Sequence, residues 1–81
     1  MYRDCDSTYG NWRLEIDQVE NPDHPHFGGW YAMACNPFIK GETSIIRHER
    51  KKKVVAARIK HLIDDIENGT ITLAQAILGN E

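Results

Sequence analysis

No run of about 18 apolar residues occurs in this 81-residue chain, so the sequence offers no helix able to cross a bilayer. The opening MYRDCDSTYGN also lacks the apolar centre of a signal peptide. Both absences lead us to expect a soluble, cytoplasmic protein. Cysteine is scarce: Cys5 and Cys35 stand thirty positions apart, compatible with one bridge but better read as two free, structural thiols in a reducing compartment. There is no glycine-rich phosphate loop, no nucleophile elbow and no evident Ser/Cys–His–acid arrangement, so no catalytic role is expected. His48-Glu49 begins like a His-Glu-x-x-His zinc motif, but position 52 is lysine. His24-x-His26, even with Cys5 or Cys35, falls short of the paired ligand spacing of a closed zinc site. Neither metal nor other cofactor is therefore expected.

What remains is a chain 41% hydrophobic and 27% charged, without repeats, low-complexity tracts or a linker. That composition reads as one small domain over residues 1–81, burying about 60–65% of its unfolded surface. The net charge of −2 conceals a strong segregation along the chain. Residues 1–39 hold two cations against six acids, residues 40–61 hold eight cations against two acids, and the tail from Leu62 holds four acids alone. The basic block sits within RHERKKKVVAARIK, Arg47 to Lys60.

The first half has strand character. In WRLEIDQVE, Trp12, Leu14 and Ile16 alternate with Arg13, Glu15 and Asp17, the period-two pattern of a half-buried strand. NPDHPHFGG is punctuated by Pro22, Pro25, Gly28 and Gly29 and reads as a loop, after which WYAMACN supplies a second strand that pairs with the first. Pro37 interrupts before FIKGE, expected to be a short third strand at the sheet edge ending at Gly41. Trp12, Trp30 and Phe27 suit the core of so small a domain, while Tyr31 and Met33 fall on the other face of the second strand. With Val19, and beside Glu15 and Asp17, they suggest a protein-contacting face and a possible homodimer.

From Thr43 or Ser44, either a suitable N-cap, the pattern turns helical. Ile45, Val55, Ile59, Leu62 and Ile66 share a stripe, and a helix over 44–68 would be roughly 37 Å long. Gly69 is a ready stop. Thr72 and Gln75 then form a capping box, Ile71 staples from the preceding position, and Gly79 closes a second helix over Leu73–Leu78.

The long helix has its charges reversed relative to its dipole, with Arg47, Arg50, Lys51, Lys52 and Lys53 early and Asp64, Asp65 and Glu67 late. Pairs such as Glu49–Lys53 and Lys60–Asp64 offset this by about 0.3–0.5 kcal/mol each, which does not account for three consecutive lysines. An external phosphate or carboxylate at the helix start would be attracted by dipole and side chains together. The candidate anion-binding residues are thus Arg47, Arg50, Lys51, Lys52, Lys53 and Arg58. Asp64-Asp65 reads as a solvated helix end.

Two segments resemble double-stranded-RNA-binding domains. Asn21-Pro22-Asp23-His24, with Phe27 three residues on, is similar to the Gly-Pro-Asp-His-x-x-x-Phe loop between that family's first two strands. Lys51-Lys52-Lys53 followed by Ala56-Ala57 is similar to its Lys-Lys-x-Ala-Lys-x-x-Ala-Ala helix start. The resemblance spans residues 12–66 in outline and implies that His24 enters an RNA minor groove while the lysines straddle the neighbouring phosphates. The chain departs from the family in lacking its opening helix, in placing Asn21 where the family has glycine, and in SIIRHER, which reads as an insertion. The same strand–strand–strand–helix outline also resembles antitoxins and small phage inhibitors, which bind proteins.

The combined expectation is an α+β domain, a three-stranded antiparallel sheet packed on one long helix with a short C-terminal helix. It is expected to act as a non-enzymatic module that engages structured nucleic acid, or a protein with an acidic surface, through a basic helix. The alternative is an inhibitor or adaptor of phage or mobile-element type that targets a nucleic-acid-binding protein.

Overall fold

The structure is a computed structural model that describes residues 7–41 and 43–79. Four strands, β1 (Ser7–Tyr9), β2 (Trp12–Gln18), β3 (Trp30–Cys35) and β4 (Ile45–Glu49), precede two helices, α1 (Lys52–Glu67) and α2 (Leu73–Leu78). The strands form an antiparallel meander in the order β1-β2-β3-β4, and both helices pack on one face. No helix among the described residues is long and apolar enough to cross a membrane.

The α+β class, the antiparallel sheet and the long helix with its short successor agree with expectation; the strand count and the helix start do not. The sheet has four strands, not three. Gly10-Asn11 forms a two-residue turn that pairs Tyr9 with Trp12 and adds β1, a Gly-Asn hairpin signal present in the sequence. FIKGE is not strand through its described residues 38–41. The edge strand is instead Ile45–Glu49, a segment whose isoleucine spacing predicts the first turns of the long helix. Ile45 and Arg47 face the core while Ile46 and His48 face away, and a charged residue at an inward position hid that alternation. Neither Thr43 nor Ser44 caps a helix; the N-cap is Lys51, with extended backbone at φ −118° and ψ 140°. Sixteen residues make α1 roughly 24 Å long.

The core lies between the sheet and α1. Trp12, Leu14, Ala32, Ala34 and Ile45 from the strands meet Val55, Ile59, Leu62 and Ile63 of α1 and Ala76 of α2. The alanines at the centre of β3 leave room for the helix side chains, and Trp30, Ile16 and Ile66 pack around the margin. Val19 is buried yet lies outside the core cluster, lining a shallow pocket with Tyr31, Ile46 and His48 on the outward side, whereas Phe27, expected in the core, is 57% exposed. Cys35 is a free thiol; Cys5 lies outside the described residues.

The helix ends match the sequence signals. Gly69, at φ +77°, takes the left-handed conformation after the last turn of α1, and its N–H donates to the Ile66 carbonyl. Thr72 and Gln75 make the reciprocal capping box of α2, and Gly79 ends that helix.

Candidate nucleic-acid interface

The site is built where three segments converge. Because Trp30 pairs with Glu49, the loop between β2 and β3 lies at the same end of the sheet as the junction from β4 into α1. His24 and the Arg50–Lys53 run are thereby brought to one end of the molecule.

The loop is held by its own hydrogen bonds. Asn21 turns the chain through Asp23 N–H to its side-chain oxygen at 3.0 Å and His24 N–H to its carbonyl at 3.0 Å. Phe27 N–H donates to the His24 carbonyl, and Gly29 N–H to that of His26. Val19 N–H closes the loop base on the Gly29 carbonyl at 3.0 Å. Gly29 is required by close approach: a Cβ there would lie 2.8 Å from the Glu49 carbonyl oxygen.

The helix start faces solvent. No side chain caps it, no acid lies in its first turn, and Arg50, Lys51, Lys52 and Lys53 are all exposed. None of these four forms an ion pair with a described residue. Lys52 reaches back so that its Nζ sits 5.4 Å from the centre of the Trp30 ring, a cation–π contact. The first N–H groups of α1 and four cations thus share one solvent-exposed surface.

Arg47 is not part of that surface. It is buried, with guanidinium bonds to the Ala76 carbonyl at 2.8 Å and the Ile46 carbonyl at 2.7 Å. It places a cation near the C-terminal end of α2 and joins β4 to that helix. Arg58 is exposed but bridges Glu49 at 2.6 Å; the expected Glu49–Lys53 pair is replaced by this one. Tyr31 and Met33 lie on the outward sheet face, where the Tyr31 hydroxyl donates to Glu15 at 2.5 Å and Ile46 is 47% exposed beside Met33.

Two of the three late acids of α1, Asp64 and Glu67, bond to the strands, so of the pair read as a solvated end Asp64 is tied into the fold. Asp64 accepts from the Tyr9 hydroxyl at 2.9 Å and Glu67 from the Trp12 indole at 2.9 Å. The bond to Asp64 holds the Tyr9 phenol above its ordinary pKa, with desolvation and the carboxylate charge adding to it.

Sequence reasoning missed a histidine cluster. The rings of His26 and His48 stack at 4.5 Å and 11°, and His24 lies 5.0 Å from His48 and 5.6 Å from His26. The Nδ1 of His24 accepts from the His26 N–H at 3.0 Å. Burial, followed by the proximity of His26 and His24, lowers the His48 pKa below its usual value near 6.5. His-x-His was visible in the sequence, but His48 joins it only through the β3–β4 pairing. Among the described residues no three His, Cys, Asp or Glu side chains are arranged to hold a metal ion.

A hollow of about 500 Å³ opens between the loop and the β4–α1 junction, lined by Pro25, His26, Phe27, His48, Glu49 and Arg50. Compared with protein-family models, curated proteins and solved structures, the chain finds no significant match.

Proposed function

We propose that the chain is a non-enzymatic binding module that engages the phosphates of structured nucleic acid, duplex RNA foremost, through the start of α1 and the β2–β3 loop. The observation that carries this reading is the convergence of an uncapped, lysine-lined helix start and the His24 loop at one end of the sheet. The cations raise the local free energy beside the positive end of the helix dipole, and a bound phosphate reverses the sign of that interaction. The element order supports the likeness to double-stranded-RNA-binding domains: Ile45–Glu49 is a strand of the sheet, so β2-β3-β4-α1 runs strand–strand–strand–helix. The binding set is Arg50, Lys51, Lys52, Lys53 and His24, with Arg58 at its margin and Arg47 left out by its burial.

A second reading, a protein-binding inhibitor or adaptor, is favoured by the outward sheet face, where half-buried Tyr31 and Met33 adjoin exposed Ile46. Mobility-shift titrations of duplex RNA, duplex DNA and single strands separate the two. Replacing Lys51, Lys52 and Lys53 with glutamine should weaken nucleic-acid binding irrespective of sequence and flatten the log–log salt dependence by about two to three units. Absence of binding to every nucleic acid at low salt would favour the protein-binding reading.

A further inference from the structure

We propose that His24, His26 and His48 form a proton gate on the nucleic-acid-binding end, charging in mildly acidic solution so that duplex binding tightens as pH falls. The inference rests on the phosphate-binding reading above and adds its regulation.

Three features of the cluster carry it. The rings come from two separate elements, the β2–β3 loop and β4, yet lie within 4.5–5.6 Å of one another, so each proton taken up is felt by the other two rings. The His26 N–H to His24 Nδ1 bond requires an unprotonated Nδ1, so an imidazolium at His24 breaks a bond inside the loop that presents it. His26 and His48 line the same hollow as Arg50, so charge gained there adds to the cations of the helix start.

The surrounding charges set the direction. Asp17 and Tyr31 occupy the same cross-strand row as His48, and Glu20 lines a separate pocket with His24 and His48. On the His26 side stand Glu49 and Arg50. Glu49 is already paired with Arg58, whose guanidinium also reaches the His48 carbonyl at 3.5 Å. The free protein therefore opposes multiple protonation through mutual repulsion and the burial of His48. A phosphate in the hollow offsets that repulsion, and by linkage duplex binding takes up protons in the pH range where acid tightens binding.

The experiment measures duplex RNA affinity at fixed ionic strength from about pH 7.5 to about pH 5.5, the span over which imidazoles change charge. Wild type is compared with His26→Gln, His48→Gln and, as a control away from the cluster, His61→Gln on the exposed side of α1. Wild type and His61→Gln should tighten about tenfold, the equivalent of at least one added charge-assisted contact. The two cluster variants should lose most of that gain while retaining their affinity at the upper pH. Equal tightening in all four proteins overturns the gate. NMR titration of imidazole protons in the free protein gives a second readout: replacing one cluster histidine should displace the titrations of the other two and leave His61 unmoved. Three titrations indifferent to one another overturn the gate even if RNA is bound. Absence of RNA binding at every pH removes the gate together with the phosphate-binding reading, whereas RNA binding insensitive to pH removes the gate alone.

Discussion

The two ends of α1 are opposites. At its C-terminal end, two of the three acids that a helix dipole disfavours are matched to strand donors: Asp64 to the Tyr9 hydroxyl and Glu67 to the Trp12 indole. Gly69 closes the last turn there, and β1 and β2 supply the anchoring partners. At its N-terminal end the disfavoured charges are lysines with no cap and no ion pair to a described residue. The same electrostatic misfit is thus offset by strand donors at one end, for two of its three acids, and left open at the other. A misplaced charge becomes informative about binding only once the structure has shown which misplacements the fold itself absorbs.

The comparison can be broken or sharpened at several positions. Ile59 is fully buried between the two ends, so Ile59→Ala should cost ~2–4 kcal/mol, close to the whole stability of a domain this small. A urea melt indistinguishable from wild type would contradict the packing of α1. Arg47 and Arg50, three residues apart, should part company. Arg47→Met removes the buried contact to Ala76 and should lower stability by about 1.5–3 kcal/mol without changing the salt slope of binding. Arg50→Gln should do the reverse, and a matched pair of phenotypes would refute the division between structural and binding arginines. At the closed end, Gly69→Val forces a β-branched residue into left-handed backbone and should cost about 1–2 kcal/mol in a thermal melt.

Smaller effects belong to the open end. The triple lysine-to-glutamine protein should melt at or slightly above the wild-type temperature, gaining a few tenths of a kcal/mol for each cation removed from the helix start. A marked drop in its melting temperature would show that the lysines serve the fold. The last effect is a slope. Because His48 titrates below the ordinary value in the folded state, its contribution to stability is fully present above pH about 6.5 and is lost as pH falls through the lower folded-state value. Stability measured across that interval should decline toward acid, and His48→Gln should make the decline shallower.

Local sequence chemistry made much of this legible. The alternation in WRLEIDQ, the stop at Gly69 and the Thr72–Gln75 box all depend on neighbours a few residues away, and each appears in the structure. Residues 45–49 misled because two β-branched isoleucines, an inward arginine and a histidine carry no clear period of either kind. Arg47 was indistinguishable in sequence from Arg50; its guanidinium bonds the carbonyl of Ala76 in α2, 29 residues later in the chain.

By itself the sequence determined the α+β class, the helix stops, the charge segregation and the lysine run, because propensity, capping and net charge act between residues close in the chain. Tertiary structure alone decided which charges remain free for a partner. It drew Asp64, Glu67 and Arg47 into internal bonds and assembled His24, His26 and His48 from segments more than twenty residues apart. Whether a polar group is satisfied depends on what packs against it, and in a meander sheet those neighbours come from distant strands and helices.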